Sequence, residues 1–179
     1  ETLVRHRKAL AELALALSRK RAETGQDLAA RVEAELSMLS MARTRFEVAL
    51  SPNPAVEGTH PDLVWEGAAI GEAGIDRAAF MIAPNVGEEL KPLSAIASGG
   101  ELSRVVLALK AILAATDAVA TLIFDEVDAG IGGGVAEIVG QKLAALACRP
   151  QVLCITHLPQ IAKFADHHFA IAKSVREGR

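Results

Sequence analysis

Three short groups of residues in this chain combine types and spacing that could act on a phosphate. The first is Ser98-Gly99-Gly100-Glu101, which opens onto an apolar stretch of helical period. Ser98 and Glu101 have the spacing of a capping box, in which each side chain satisfies a backbone donor of the first turn. The two glycines are poor helix formers, so propensity does not explain them. They would let a bulky anion approach the backbone, and a helix start with bare N–H groups and partial positive charge is a phosphate site. A plain capped helix after a glycine turn fits the stretch equally well. The second group is Thr121-Leu122-Ile123-Phe124-Asp125-Glu126, an apolar run ending in two acids. The first carboxylate can hold Mg²⁺ through its water shell. The second can orient and deprotonate the attacking water in phosphoryl transfer. Alone, this pair reads as two solvated acids at a strand end. The third is His157, following Val152-Leu153-Cys154-Ile155-Thr156. An imidazole at the carboxyl end of a strand can donate to a phosphate oxygen, although a lone histidine is more often structural.

The elements that must position these groups can be read from periodicity. Residues 1–45 predict helix: Leu3, Leu10 and Leu17 recur every seventh residue with Leu13 between, then Leu28, Val32, Leu36 and Leu39 follow. A seven-residue repeat marks a coiled-coil seam. So short a repeat fits an amphipathic helical hairpin equally, and its slip at Thr24-Gly25 predicts a break there. Phe46-Glu47-Val48-Ala49-Leu50 alternates as a strand does, and residues 51–61, with three prolines and a glycine, predict a loop. Residues 62–69 and 76–83 are two further strand candidates, which together predict a small antiparallel sheet. Beyond them, 103–115 and 135–147 have helical period. Residues 119–124 and 152–155 read as buried parallel strands, 159–165 as a short helix, and Phe169 and Ile171 as a final strand. Strand, helix, strand at this spacing is a parallel crossover unit. The fold class is therefore α/β with a helical arm in front. Open sheets of this kind bind ligands at the carboxyl ends of their strands, where Asp125-Glu126 and His157 stand.

Composition narrows the function classes. A net charge of -3 gives this segment no basic excess to mark it as a nucleic-acid surface. Aromatic residues make up 3%, with no Tyr, too few for a base-stacking single-strand binder. Cys148 and Cys154 match no metal-ligand spacing, which predicts buried free thiols in a reducing compartment. The longest apolar run, 111–124, is interrupted by Thr116, Asp117 and Thr121 and is too short to span a membrane. The N-terminus has no signal-peptide pattern, so a cytoplasmic location is expected. His167-His168 would point to opposite strand faces and hold no metal. Arg19-Lys20-Arg21 reads as the solvated face of the arm.

In order along the chain, the three groups resemble the signature loop, Walker B segment and switch-histidine loop of ABC-type ATPases. Three stretches are similar to the RecN family of SMC-like ATPases: Ala97-Ser98-Gly99-Gly100-Glu101-Leu102-Ser103-Arg104, then Ile123-Phe124-Asp125-Glu126-Val127-Asp128-Ala129-Gly130-Ile131, then Ile155-Thr156-His157-Leu158-Pro159-Gln160. Pro84-Asn85-Val86-Gly87-Glu88 and Lys91-Pro92-Leu93 also resemble it, and the resemblance covers nearly the whole chain. It implies the C-terminal lobe of an ABC/SMC-type ATPase head: parallel strands with crossover helices and a small antiparallel sheet, preceded by a coiled-coil arm. Residues 1–45 would be the end of that arm and 46–179 the head lobe.

The resemblance also implies roles. Ser98, Gly99 and Gly100, with Glu101 in the same loop, would bind ATP across a dimer by contacting the γ-phosphate held by the other head. Asp125 would serve Mg²⁺ through water, Glu126 would be the general base, and His157 would sense the γ-phosphate. Asp128 would lie in the loop that crosses the dimer interface. Arg104 has no assigned role. The implied cofactors are ATP and Mg²⁺. The implied partners are the N-terminal half of the same head, a second head in an ATP-sandwiched homodimer, and DNA bound by the full protein, without any membrane. The implied activity is ATP hydrolysis in DNA double-strand break repair and recombination, in a cytoplasmic, nucleoid-associated protein.

No glycine-rich loop ending in Gly-Lys-Ser or Gly-Lys-Thr occurs in the chain, and Gly130-Ile131-Gly132-Gly133-Gly134-Val135 fits no dinucleotide fingerprint. The phosphate-cradling loop is therefore expected on the N-terminal half of the head, and the isolated chain is expected to be inactive. Three rivals stand beside this reading. One is an ABC transporter ATPase half, which usually carries Gln where Glu101 stands and lacks a helical arm. Another is a different SMC-like recombination ATPase, against which the RecN-like stretches decide. The third is a non-catalytic scaffold whose acids are only structural.

Overall fold

The computed structural model describes residues 1–114 and 119–171. The end expected for the helix at 103–115 and the C-terminal residues 172–179 lie outside the described residues. The chain divides into two compact units, Glu1–Ser98 and Gly99–Arg179.

The first unit is built on one long helix, α1 (Thr2–Met38). No break occurs at Thr24-Gly25, and no second helix folds back as a hairpin in this unit. A glycine inside a helix costs about 1 kcal/mol relative to alanine, but here it makes room. A Cβ on Gly25 would stand 3.1 Å from Cβ of Val48 in the strand beneath. The helix stops at Met38 rather than near residue 45. Ser40 takes a left-handed φ of 65°, and the Met41 N–H donates to the Leu36 carbonyl at 3.0 Å. That six-to-one bond closes a Schellman cap, with Leu36, Leu39 and Met41 buried around it.

Beneath α1 lies a three-stranded antiparallel sheet of β1 (Arg45–Pro52), β4 (Asp76–Ala83) and β5 (Lys91–Pro92), in the order β1-β4-β5. The register runs from Arg45 opposite Ala83 to Pro52 opposite Asp76. Glu33 of α1 accepts from the Phe46 N–H at 2.8 Å, which fastens the helix to the first strand. The strand expected across 62–69 is instead a 3-10 turn (Pro61–Leu63) followed by a two-residue hairpin, β2 (Val64–Trp65) and β3 (Ala68–Ala69). The cause is local: Glu66 and Gly67 both have positive φ, 49° and 83°, the geometry of a type I′ turn. Ala68, Ile70 and Ile75 pack with Ala11 and Ala14 of α1 into a buried cluster that Trp65 covers. Arg21 does not sit on a solvated face. Its Nη1 donates to Oδ1 of buried Asp76 at 2.5 Å.

The second unit carries the chemistry. It comprises α2 (Gly99–Leu113), β6 (Thr121–Phe124), α3 (Gly133–Leu146), β7 (Gln151–Cys154) and α4 (Pro159–Ala162). Strands β6 and β7 are parallel, with Thr121 opposite Gln151 and Phe124 opposite Cys154. Helix α3 crosses between them, as strand–helix–strand periodicity predicts. A Cβ on Gly140 would overlap the ring of Phe164, so this glycine lets α3 pack closely against the chain after α4. The final strand expected at Phe169 and Ile171 does not form, and both side chains are almost fully exposed. A strand needs a neighbouring edge for its backbone groups, and none among the described residues pairs with this segment. Cys148 is exposed rather than buried.

Candidate functional site

The two acids and the histidine leave adjacent parallel strands at the same end. Asp125-Glu126 follow β6 and His157 follows β7. The Ile155 N–H, one residue past β7, donates to the Phe124 carbonyl at 2.9 Å, so the pairing persists to the threshold of both loops. Asp125, Glu126 and His157 are all exposed.

Helix α2 is docked against this acid loop by the two glycines, which belong to its first turn rather than to a turn before it. Neither needs a left-handed backbone; both need space. A Cβ on Gly99 would overlap the Glu126 carboxylate, and one on Gly100 would lie 2.7 Å from Cβ of Ala129 and 3.0 Å from the Glu126 carbonyl. Gly99 thus admits the Glu126 side chain of the same chain, and Gly100 admits the loop that carries it. Ser98, immediately before α2, is exposed, as is Gly99, while Gly100 is buried and Glu101 partly buried.

Two side chains of α2 that sequence reasoning left without a role clamp the same loop. Ser103 Oγ donates to the Asp125 carbonyl at 2.6 Å. Arg104, buried to 7% exposure, donates from Nη1 to the Ala129 carbonyl at 2.8 Å. Burial pushes the Arg104 guanidinium down from its ordinary value, and the Glu101 charge acts the other way. The available signal was their position one turn beyond the glycines, on the side of the helix that faces what the glycines admit.

Within the loop, the Glu126 N–H donates to Asp125 Oδ1 at 2.8 Å, and Glu126 itself is left-handed, with φ of 55°. A non-glycine residue there costs about 1–2 kcal/mol, a form of strain that collects at functional sites. Asp128 stands two residues further along the same loop. Its carboxylate is buried at 5% exposure and turned into the chain. Oδ2 accepts from Thr156 Oγ1 at 2.5 Å and from the His157 N–H at 3.1 Å, and it lies 3.1 Å from His157 Nδ1. The exposed part of that loop is made of Ala129, Gly130 and the glycines from 132 to 134. Behind it, burial, and after it the charges of Asp128 and Asp125, push the Cys154 thiol up to about 11. Cys154 is therefore a protonated thiol at neutral pH and no nucleophile.

No cluster of three or more metal-ligating side chains exists among the described residues. That excludes an all-protein metal cage built from them. Mg²⁺ keeps its waters and takes one or two carboxylates plus phosphate oxygens. The exposed Asp125 carboxylate can supply that single hard oxygen.

The fold is similar to that of Smc head domains. It matches the Smc head domain with a coiled coil and joint derived from Pyrococcus yayanosii at a TM-score of 0.50 and 18% identity, covering 79% of this chain and 23% of that one. No family model matches the chain. Sequence comparison finds similar proteins of one kind. The chain is 42% identical over 164 residues to the DNA repair protein RecN of Bacillus subtilis, covering 91% of this chain and 28% of that protein. It is 46% identical over 158 residues to the RecN of Treponema pallidum, covering 88% and 26%. The chain is RecN-like, and it spans about a quarter of the length of the curated relatives it matches.

Proposed function

We propose that this chain is the hydrolytic portion of an SMC-like ATPase head acting in DNA repair, completed by an N-terminal half that carries the phosphate loop. The observation that carries the reading is the shared exit of Asp125-Glu126 and His157 from paired parallel strands, with the glycine-opened start of α2 held against the acids. In this reading Asp125 takes Mg²⁺, which neutralises charge on the phosphates. Glu126 accepts a proton from the attacking water, and His157 contacts the γ-phosphate. Ser98, Gly99, Gly100 and Glu101 serve the nucleotide of a second head across an ATP-sandwiched dimer. Because Glu126 occupies the space above Gly99, an incoming phosphate must displace it, which would free the base when the heads meet.

The need for another half has support in the second unit. Parallel sheets are normally covered on both faces. On one face of β6 and β7, Ile123 is 69% and Leu153 42% exposed, with Ile155 just beyond at 58%. On α1, Leu3, Leu10, Leu13 and Leu17 remain exposed, as the seam of a coiled-coil arm does without its mate. DNA bound by the full protein and a cytoplasmic, nucleoid-associated location belong to the same proposal. No helix among the described residues is long and apolar enough to cross a membrane.

The test is reconstitution. Mixed with an N-terminal half bearing the phosphate loop, the chain is expected to give Mg²⁺-dependent phosphate release. Glu126→Gln should abolish turnover and accumulate ATP-bound dimers in sizing experiments. The chain alone should show no tight ATP binding by calorimetry. Full turnover by Glu126→Gln, or stoichiometric ATP binding by the isolated chain, would refute the assignment.

A further inference from the structure

The Asp128 carboxylate is buried and gathers two hydrogen bonds and the His157 ring on one oxygen. Burying a carboxylate is costly unless its oxygens are hydrogen-bonded, and charge-assisted bonds are the strong ones. The arrangement is therefore a built one. Thr156 Oγ1 donates to Oδ2 and in turn accepts from the Leu158 N–H at 3.1 Å, so the turn at 156–158 is organised around Asp128. His157 Nδ1 lies 3.1 Å from the same Oδ2, within hydrogen-bond reach, on a side chain that is 78% exposed.

We propose that Asp128 is a positioning residue for His157: it holds the ring with its proton on Nδ1 and leaves Nε2, turned away from Asp128, as the only nitrogen open to a ligand. This rests on the ATPase reading for its purpose but not for its geometry. Which nitrogen of a histidine carries the proton is set by the hydrogen bond its other nitrogen makes. A neutral ring with its proton committed to Asp128 presents a lone pair at Nε2, and it can donate to a γ-phosphate oxygen only as imidazolium, with both nitrogens protonated. His157 would then bridge a buried carboxylate on one side and the phosphate on the other. Asp128 thereby ties the loop after β6 to the loop after β7, so displacing one moves the ring carried by the other.

The test needs no nucleotide. Long-range proton–nitrogen NMR on the nitrogen-15-labelled chain reads the tautomer, with His157 signals assigned by their loss in His157→Gln. At a pH where the ring is neutral, the wild-type chain is expected to show His157 protonated on Nδ1, whereas a free imidazole side chain favours Nε2. Asp128→Asn, which keeps an oxygen acceptor, should retain the Nδ1 proton. Asp128→Ala should release it to Nε2. A wild-type ring protonated on Nε2 overturns the proposal, and this reading stands even if Asp128→Ala fails to fold. An unchanged tautomer in a folded Asp128→Ala chain overturns it as well. A reconstituted head that binds no ATP while His157 stays protonated on Nδ1 would refute the ATPase reading and leave the positioning role intact.

Discussion

Gly100→Ala isolates the packing of α2 on the acid loop from everything else the loop does. The added Cβ would lie 2.7 Å from Cβ of Ala129 and 3.0 Å from the Glu126 carbonyl. Contacting carbons sit about 3.5–4.0 Å apart, so helix and loop must separate by roughly 1 Å. Both obstacles are backbone or Cβ atoms and cannot swing aside. Overpacking of this kind costs about 1–3 kcal/mol. Alanine returns at most about 1 kcal/mol of helix propensity, so the middle of that range, about 2 kcal/mol, leaves a net loss of about 1–2 kcal/mol. For a unit the size of Gly99–Arg179 that corresponds to a fall in Tm of roughly 5–10 °C. Gly134→Ala is the internal control. It lies in α3 with nothing within 4 Å of the added Cβ, and it should gain about 0.5–1 kcal/mol. Gly99→Ala meets only the end of a flexible side chain and should cost little stability while displacing Glu126. Thermal melts followed by circular dichroism give all three values. A Gly100→Ala chain as stable as wild type would refute the idea that the second glycine exists to admit Ala129 and the Glu126 backbone.

Two further expectations concern titratable groups. With the Cys154 thiol pushed up to about 11 and Cys148 exposed, mild alkylation at pH 8 should label Cys148 alone by mass spectrometry. Cys154 should react only as the pH climbs toward 11, and equal labelling at pH 8 would contradict this. In the first unit, burial raises the Asp76 carboxyl, but hydrogen bonds from Ser18 and Arg21 and the Arg21 charge outweigh it and hold it below its ordinary value. A depressed carboxyl contributes stability that is present above the unfolded value and lost as pH falls through the folded one. Arg21→Ala, which strips the partner from this buried group, should destabilise the unit by about 3 kcal/mol, the low end for such a break, because Arg21 is 31% exposed. It should also flatten the acid limb of the stability profile. An unchanged acid limb in urea titrations would show that the pair contributes nothing.

The strands were legible where alternation or an apolar run was unbroken. Residues 76–83 form β4 as predicted, and the runs into Asp125 and toward His157 form the parallel pair. Glycine was where propensity misled. Gly25 argued for a break and Gly99-Gly100 for a turn, yet all three lie inside helices. At each the deciding fact is what a Cβ would touch across the structure, which no local window contains. The Glu66-Gly67 turn was missed because glutamate rarely accepts a positive φ. The strand at Phe169 and Ile171 was anticipated from hydrophobicity alone, and hydrophobicity cannot supply a partner edge. The candidate residues that leave β6 and β7 at the same end could be placed from their order along the chain, but not the partner of Asp128, which lies 28 residues ahead of Thr156.

Helix α1 shows why one pattern can carry two meanings. Its buried positions, Ala11, Ala14, Gly25, Val32 and Leu36, are small along the first two-thirds, and small residues let a helix backbone approach a sheet. The seven-residue leucine repeat at 3, 10 and 17 is turned about 65° around the axis from them at 3.6 residues per turn, and Leu3 and Leu10 are exposed. A helix that served only the sheet would have no use for large aliphatic side chains there. A helix that served only a coiled coil would not carry alanines and a glycine at the adjacent positions. The two stripes lie on one continuous helix, the small one packed inside the first unit and the leucine one left exposed.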